Sequence, residues 1–255
     1  MYFKTTNMTF YYEKHGNNKN TIIILPGWGN TRNTFYNIIK YLKEDFTIFI
    51  IDYPGEGNSP IPNKTLTIYD YAKAIKLFLE QKEIKKPIII AHSFGGRISS
   101  ILIGKYNVPI KKLLLIDVAG IKRRKKLNIY IKEKTYKLLK KISIIIPKKR
   151  QKKWKTFLIN TFSSPDYKDL SPTMQKTFQN ILKENLKEYY RKIKTETLII
   201  WGEKDQDTPL KDGILLRKII KNSALIIYKK ASHYSYLEYP TITNKIIYEF
   251  IKEKD

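Results

Sequence analysis

Short aliphatic runs alternate with longer amphipathic stretches along most of the chain. Each run is nearly continuous in Ile and Leu, which is typical of a strand covered on both faces of a sheet. The longer stretches repeat their apolar positions at helical spacing, as Tyr71, Ala74 and Phe78 do between residues 67 and 82. Two shorter segments at the start lack a helix between them and predict a leading antiparallel hairpin.

The pattern predicts eight strands and five helices outside one long insert. The strands are Tyr2–Thr6, Met8–Glu13, Thr21–Leu25, Thr47–Asp52, Pro87–Ala91, Lys112–Asp117, Thr197–Trp201 and Ala224–Tyr228. The helices are Thr34–Lys43, Thr67–Lys82, Gly96–Lys105, Leu210–Lys221 and Thr241–Lys252. Because strands and helices alternate, the fold class is α/β, with a mostly parallel eight-stranded sheet and helices on both faces.

The insert, residues 121–194, separates two parts of one core domain, residues 1–120 and 195–255. It is predicted to form helices at Asn128–Ile146, Lys149–Phe162 and Ser171–Lys192, and we interpret it as a helical cap folded onto the core. The whole chain carries a formal net charge of +26. The insert alone holds 23 Lys and Arg against 5 Asp and Glu, a net of +18. One segment therefore accounts for most of the charge imbalance.

Composition narrows the possible chemistry. The chain has no Cys, which excludes a disulfide scaffold, a zinc ribbon and a thiol nucleophile. Its three His are scattered, so neither a His-rich metal cluster nor any other metal site or cofactor is predicted. No signal peptide and no run near the roughly 20 apolar residues of a membrane span is recognised. We therefore expect a cytoplasmic protein.

The strongest chemical signal is a serine where a buried strand meets a helix. Ser93 is flanked two positions away by Ala91 and Gly95, and the small residues permit a turn tight enough to expose its hydroxyl. His92 lies between strand and serine. The following helix directs its N–H groups and positive dipole end to any oxyanion that forms there. The motif matches the G-x-S-x-G nucleophile elbow except that Ala91 replaces the first Gly.

Suitable partners follow Ser93 in the chain. Asp205 comes after the strand that ends at Trp201, and His233 comes after the next strand. The order Ser, Asp, His fits an imidazole that takes the serine proton and a carboxylate that orients the imidazole. Asp207 and Asp117, which also lie at strand ends, remain alternative acids.

The chain resembles the α/β hydrolases, within the small cap-bearing group of esterases, lipases and carbon–carbon bond hydrolases. The similarity runs from about residue 8 onward, although the cap matches only in position. It is carried by the Ser93 elbow and by three further segments, Leu25–Gly29, Asp52–Ser59 and Gly202–Asp205 with Pro209. The resemblance implies an α/β-hydrolase fold and a nucleophile, acid and base at Ser93, Asp205 and His233.

The resemblance also implies an oxyanion hole formed by the backbone N–H groups of Trp28 and Phe94. Pro26 stands where this group usually has His, so the network that normally braces the Trp28 turn lacks that residue. The Asp52–Ser59 segment is interpreted as a glycine turn that borders the site without taking part in the chemistry.

These features predict a serine hydrolase that cleaves a small carboxylic ester through an acyl-enzyme at Ser93. Aromatic and aliphatic cap residues indicate an apolar acyl pocket for a short- to medium-chain ester; they are Tyr130, Tyr136, Leu138, Trp154, Phe157 and Phe162. One alternative is hydrolysis of a carbon–carbon bond in a ring-cleavage product by the same three residues. Another is a non-catalytic binding protein or an adaptor that uses the basic cap.

The basic cap has three interpretations. It is a solvated helical face, a surface for anionic substrates or anionic lipid, or a nucleic-acid-binding surface. The stretch from 128 to 146 mixes aliphatic and Lys residues, as helices at membrane interfaces do. No nucleic-acid-binding module is recognised, so nucleic acid is the partner that the sequence favours least.

Overall fold

A computed structural model describes residues 1–122 and 169–252, together with residues 134, 135, 138, 139, 142, 146, 147, 149–151, 153, 154 and 167. Helices and strands are numbered below in chain order within this part of the chain. None of its helices is both long enough and apolar enough to cross a bilayer.

Eight strands form a single sheet. They are β1 (Tyr2–Lys4), β2 (Thr9–His15), β3 (Thr21–Leu25), β4 (Thr47–Asp52), β5 (Ile88–His92), β6 (Leu113–Ile116), β7 (Thr197–Gly202) and β8 (Ser223–Tyr228). Their spatial order is β1-β2-β4-β3-β5-β6-β7-β8. The β1–β2 and β2–β4 pairs are antiparallel and the others are parallel. The predicted sheet is confirmed, including its leading hairpin.

A short 3-10 helix, Arg32–Phe35, precedes the α-helices. These are α1 (Tyr36–Leu42), α2 (Ile68–Gln81), α3 (Phe94–Gly104), α4 (Pro172–Lys183), α5 (Lys187–Arg191), α6 (Leu210–Ile219), α7 (Ser235–Glu238) and α8 (Pro240–Ile251). Thr67 caps α2 by accepting a hydrogen bond from the N–H of Asp70, whose side chain binds back to Thr67. The helix predicted to begin at Gly96 begins at Phe94 instead, directly after Ser93.

The sheet is covered on both faces, which explains its nearly continuous aliphatic strands. Along β3, Ile23 and Leu25 enter one apolar cluster while Ile22 and Ile24 enter the other. Buried residues of α2, α3 and α6 complete the first cluster, and those of α1 and α8 complete the second. The carboxyl ends of the parallel strands remain free to carry the loops of a site.

The single helix predicted at Ser171–Lys192 is wrong, because the chain forms α4 and α5 with a break between them. Glu184 adopts an extended ψ of 135°. Leu186 then becomes fully buried and its N–H donates to the carbonyl oxygen of Gly120 at 2.8 Å. Burial of Leu186 against the core favours this break over helix continuation. The other predicted cap helices, Asn128–Ile146 and Lys149–Phe162, lie largely outside the described residues.

Candidate active site

Ser93 occupies the sharp turn between β5 and α3. Its φ of +45° and ψ of −107° lie in a region that residues with a side chain rarely adopt. A Cβ atom at position 95 would lie 2.0 Å from the carbonyl oxygen of Leu25, so only glycine fits there. Ala91 is fully buried on the other side of the turn. The strained turn lifts the Ser93 hydroxyl off the sheet, as a nucleophile elbow does.

Two hydrogen bonds connect Ser93, His233 and Asp205. The Ser93 Oγ lies 2.9 Å from Nε2 of His233, and Nδ1 of His233 lies 2.8 Å from Oδ2 of Asp205. Asp205 follows β7 and His233 follows β8, so the sheet brings together residues far apart in sequence. With the proton on Nδ1, the imidazole donates to Asp205 and is free to accept the serine proton.

Asp205 is held as an ionised acceptor. Its Oδ1 accepts the N–H groups of Asp207 at 2.8 Å and Thr208 at 2.9 Å, and its Oδ2 accepts the Thr208 hydroxyl at 2.6 Å. Burial raises the pKa of Asp205, but the hydrogen bonds from His233 and Thr208 outweigh burial and lower it below the ordinary value. Asp205 therefore stays charged opposite the imidazole.

The two alternative acids are placed differently. Asp117 accepts from the Gly202 N–H at 2.7 Å and from the Ser235 hydroxyl at 2.5 Å, and burial raises its pKa to about 7. Asp207 is exposed and contributes its backbone N–H to Asp205. Within the described part of the chain, the carboxylate hydrogen-bonded to His233 is that of Asp205 alone. This geometry favours Asp205 as the acid.

His92, the residue before Ser93, contacts both the backbone and the ring of His233. Its Nε2 donates to the carbonyl oxygen of His233 at 2.9 Å, and the two rings lie 4.9 Å apart. Burial, together with the charge on His233, lowers the pKa of His92 to about 3. His92 is therefore neutral and serves as a fixed donor that anchors the backbone of His233.

Trp28 and Phe94, the residues predicted to form the oxyanion hole, line the same cavity as Ser93. Phe94 is the first residue of α3, so its N–H has no partner within the helix. Trp28 lies in the turn after β3, and its ring packs edge-on against Phe94 with centroids 5.4 Å apart. Among the described residues, no acceptor takes the N–H of Trp28 or of Phe94. The two donors are available to a negatively charged oxygen.

Known proteins with the same sequence features are hydrolases. Residues 20–128 match the alpha/beta hydrolase fold family. The pimeloyl-[acyl-carrier protein] methyl ester esterase of Wigglesworthia glossinidia brevipalpis is 28% identical, over 96% of this chain and 98% of the relative. A 2-hydroxy-6-oxononadienedioate/2-hydroxy-6-oxononatrienedioate hydrolase of Pseudomonas putida is 25% identical, over 96% of this chain and 92% of the relative. This chain has the α/β-hydrolase fold.

Solved structures agree with this assignment of the fold. An α/β hydrolase enzyme from a Medee basin deep-sea metagenome library superposes with a TM-score of 0.77 at 20% identity, over all of this chain and 98% of the other. The predicted fold is thereby confirmed, and the family-model match together with the named relatives supports the predicted hydrolase family. The residues that line the cavity of this α/β hydrolase indicate which substrates it can bind.

The cavity of this α/β hydrolase opens onto Ser93 and His233 and encloses about 330 Å³. Its apolar wall is formed by Trp28, Phe94, Ile121, Phe178, Ile181 and Leu182. The polar residues that border it are Asn30, Arg97, Asp207, Thr208 and Asp212. The buried Arg97 donates to the carbonyl oxygen of Ile181 at 3.1 Å and so ties α3 to the end of α4.

The apolar pocket was predicted from other residues. Leu138 is exposed, and neither it nor Trp154 lines the cavity, so their assignment to the pocket wall is wrong. Tyr130, Tyr136, Phe157 and Phe162 lie outside the described residues. The wall comes instead from α4, whose Phe178 packs on Trp28 with ring centroids 5.2 Å apart. The apolar stripe of α4 was visible in the sequence, but its neighbour Trp28 is distant in the chain.

Thr208 is a site residue that the sequence did not single out. Its hydroxyl donates to Asp205 and lies 3.3 Å from Nδ1 of His233. A Thr one residue before Pro209 carries no recognisable signal.

The carboxylate and imidazole atoms of Asp205, Asp207 and His233 lie within 4.8 Å of one another, which is the spacing of a metal site. Both ring nitrogens of His233 are already hydrogen-bonded, so a cation would compete with Ser93 and Asp205.

The charge of Asp205 gives the site a testable pH dependence. Burial lowers the pKa of His233, but the hydrogen bond and charge of Asp205 outweigh burial and raise it above the ordinary 6.5. A protonated imidazole cannot accept the serine proton, so we expect kcat/KM for an ester to fall with decreasing pH at an acid limb above pH 6.5. In Asp205→Asn the limb should move to lower pH. If the acid limbs of the pH–rate profiles of wild type and Asp205→Asn lie at the same pH, the pairing of His233 with Asp205 is contradicted.

Proposed function

We propose that this α/β hydrolase cleaves a small carboxylic ester through an acyl-enzyme at Ser93. The observation that carries the proposal is the hydrogen-bonded chain from the Ser93 hydroxyl through His233 to Asp205, which lies at a cavity of small-molecule size. Two free backbone donors beside the same hydroxyl support it. The 28% identical relative, named as a methyl ester esterase, is consistent with it.

In the first half of the reaction, Oγ of Ser93 attacks the ester carbonyl carbon while Nε2 of His233 takes its proton. The N–H groups of Trp28 and Phe94 stabilise the oxyanion of the tetrahedral intermediate. The ester C–O bond then breaks, and the imidazolium gives its proton to the departing alcohol. The acyl group is left on Ser93.

In the second half, a water molecule gives its proton to Nε2 of His233 as its oxygen attacks the acyl carbon. The intermediate collapses, the carboxylic acid leaves, and the proton returns to Oγ of Ser93. Throughout, Asp205 keeps the proton of the imidazole on Nδ1 and stabilises the imidazolium that forms. His92 and Thr208 hold these two residues in position.

The cavity supports a short- to medium-chain acyl group. Ligand pockets typically enclose about 300–1,000 Å³, and this one lies at the small end of that range. Its aromatic and aliphatic wall favours an alkyl chain, since burial of apolar surface contributes roughly 25 cal/mol per Å². We therefore place p-nitrophenyl acetate and butyrate among the better probe substrates.

Carbon–carbon bond hydrolysis remains the second candidate. The Pseudomonas putida relative acts on a dienedioate, as its name states, and the same Ser, His and Asp side chains serve such a reaction. A substrate profile separates the two functions. We expect turnover of p-nitrophenyl esters to exceed that of 2-hydroxy-6-oxo-dienoates by at least about a hundredfold in kcat/KM, and the opposite ranking would replace the proposal.

We also propose that the basic segment 121–194 binds an anionic lipid surface. Lys134, Lys149, Arg150 and Lys153 are exposed within it, and its net charge is +18. Each such charge near an anionic bilayer contributes about 1 kcal/mol. The protein should therefore sediment with phosphatidylserine vesicles at low salt, and ionic strength near 0.5 M should release it because salt screens the attraction.

Charge reversal provides the control for vesicle binding. The triple change Lys149→Glu, Arg150→Glu and Lys153→Glu should weaken vesicle binding much more than Lys40→Glu, Lys43→Glu and Lys245→Glu, which reverse three exposed charges on α1, its end and α8. Equal weakening by both sets indicates a nonspecific charge effect. Binding to DNA but not to vesicles would reassign the segment to nucleic acid.

A further inference from the structure

The turn that carries Trp28 has a conformation that depends on one peptide group. The N–H of Asn30 donates to the carbonyl oxygen of Gly27 at 3.3 Å, which closes a four-residue turn. Gly29, at its third position, has a φ of +73°, the signature of a type II turn. The central peptide of this turn, Trp28–Gly29, shares the Cα atom of Trp28 with the Gly27–Trp28 peptide, which carries the Trp28 N–H.

Glu56 holds this central peptide. Its Oε1 accepts the N–H of Gly29 at 2.8 Å. At the other end of the same peptide, Nδ2 of Asn30 donates to the carbonyl oxygen of Trp28 at 3.4 Å. The glutamate bond is the shorter of the two, and it comes from a different segment of the chain. Glu56 thus ties the Trp28 turn to the body of the protein.

The segment that presents Glu56 is itself rigid. Directly after β4, the N–H of Glu56 donates to Tyr53 at 2.9 Å and its carbonyl accepts from Ser59 at 2.9 Å. The Ser59 hydroxyl donates to the carbonyl of Asp52 at 2.6 Å. A Cβ atom at Gly57 would lie 2.2 Å from the Asp52 carboxylate, so the turn tolerates no bulk there. The Glu56 side chain therefore reaches Gly29 from a fixed base.

Two tyrosines on which the Glu56 carboxyl acts electrostatically, Tyr53 and Tyr71, contact Phe94, the second proposed donor. Tyr53 and Tyr71 pack edge-on against Phe94, with ring centroids 5.1 and 5.2 Å away. Both hydroxyls and Oε2 of Glu56 are buried without a hydrogen-bond partner in the described part of the chain. A buried polar atom without a hydrogen-bond partner lowers the stability of the folded protein. These three atoms therefore have a stability cost.

We propose that Glu56 is a positioning residue of the oxyanion hole: it fixes the Trp28–Gly29 peptide and so restrains the adjoining Gly27–Trp28 peptide, whose N–H is the proposed donor. The inference rests on the proposed ester hydrolysis and assigns to Glu56 the bracing role left open by Pro26. It replaces the expectation that the Asp52–Ser59 segment only borders the site.

The protonation of Glu56 identifies its best substitute. Burial raises the pKa of Glu56 to about 8, with a further contribution from the charge of Asp52. Near neutral pH the carboxyl group is therefore mostly uncharged, with one oxygen free to accept the Gly29 N–H. Glutamine has the same shape and the same accepting oxygen, whereas alanine has neither.

The test compares Glu56→Ala and Glu56→Gln in the full-length protein with p-nitrophenyl acetate as substrate. Removal of one oxyanion-hole donor typically costs about 10²–10³ in kcat, and a loosened donor should cost less. We expect kcat of Glu56→Ala to fall by about tenfold to a hundredfold with KM changed less than about threefold. Glu56→Gln should stay within about threefold of wild type, and Glu80→Ala, an exposed glutamate on α2, should be unchanged.

A second readout does not depend on activity. Amide hydrogen exchange measured by NMR should be slow at Gly29 in wild type and in Glu56→Gln, and fast in Glu56→Ala. If the circular dichroism spectrum shows that Glu56→Ala is unfolded, Glu56→Asp is used instead. Its side chain is shorter by one methylene, so its carboxyl lies farther from the Gly29 N–H. Wild-type kcat together with unchanged exchange at Gly29 in Glu56→Ala, or in Glu56→Asp where it is the variant used, overturns the role of Glu56. Absence of ester turnover in wild type overturns the proposed function instead.

Discussion

Ser93→Ala is expected to reduce p-nitrophenyl ester turnover to the small residual rate that a serine hydrolase keeps without its nucleophile and to abolish labelling by a fluorophosphonate probe. The change removes the hydroxyl that is hydrogen-bonded to Nε2 of His233 and that is the nucleophile of the proposed mechanism. Loss of the nucleophile in a serine hydrolase costs on the order of 10⁶ in kcat. Steady-state kinetics and in-gel fluorescence measure the two effects on the same samples.

A neighbouring serine provides the matched control for this variant. Ser99 lies on the same helix, α3, and its buried hydroxyl donates to the carbonyl oxygen of Gly96. Ser99→Ala should retain kcat within about threefold and should label normally. Labelling that persists in Ser93→Ala would assign the nucleophile to another residue and would remove the proposed mechanism.

Asp205→Asn should produce the next largest loss, with kcat reduced by about 10³- to 10⁴-fold. An amide at this position is able to present its NH₂ group to Nδ1 of His233, which favours the tautomer that cannot accept the serine proton. Fluorophosphonate labelling should slow in parallel. The folded state should persist, because the amide oxygen can still accept hydrogen bonds from the N–H groups of Asp207 and Thr208.

The two alternative acids test this assignment directly. Asp207→Asn should change kcat by less than about threefold, because its side chain is exposed. Asp117→Asn should act mainly on stability, because the Asp117 carboxyl accepts from Gly202 and Ser235. A loss of 10³-fold or more in Asp117→Asn, together with near-normal kcat in Asp205→Asn, would move the acid to Asp117.

Short sequence patterns predicted most of the strands and helices of the core. The aliphatic runs are strands because both faces of the sheet are covered, and the small residues around Ser93 are required by contacts such as the approach of position 95 to Leu25. The order Ser93, Asp205, His233 also followed from the strands that precede each residue. In each of these cases, the physical requirement leaves a recognisable pattern within a few consecutive residues.

Features set by long-range packing were not predicted. The break between α4 and α5 depends on burial of Leu186 against Gly120, a residue distant in the chain. The cavity wall depends on the contact between Phe178 and Trp28. The bond from Gly29 to Glu56 crosses from one loop to another, and a Glu in a glycine-rich turn shows no partner in the sequence alone.

Formation of an acyl-enzyme at Ser93 is tested most directly by mass spectrometry of the protein quenched in acid during turnover of p-nitrophenyl acetate. We predict an acetyl group on the peptide that contains Ser93 and its absence in Ser93→Ala. Robust ester turnover without any acyl adduct on this peptide, or with the adduct on another residue, would contradict it.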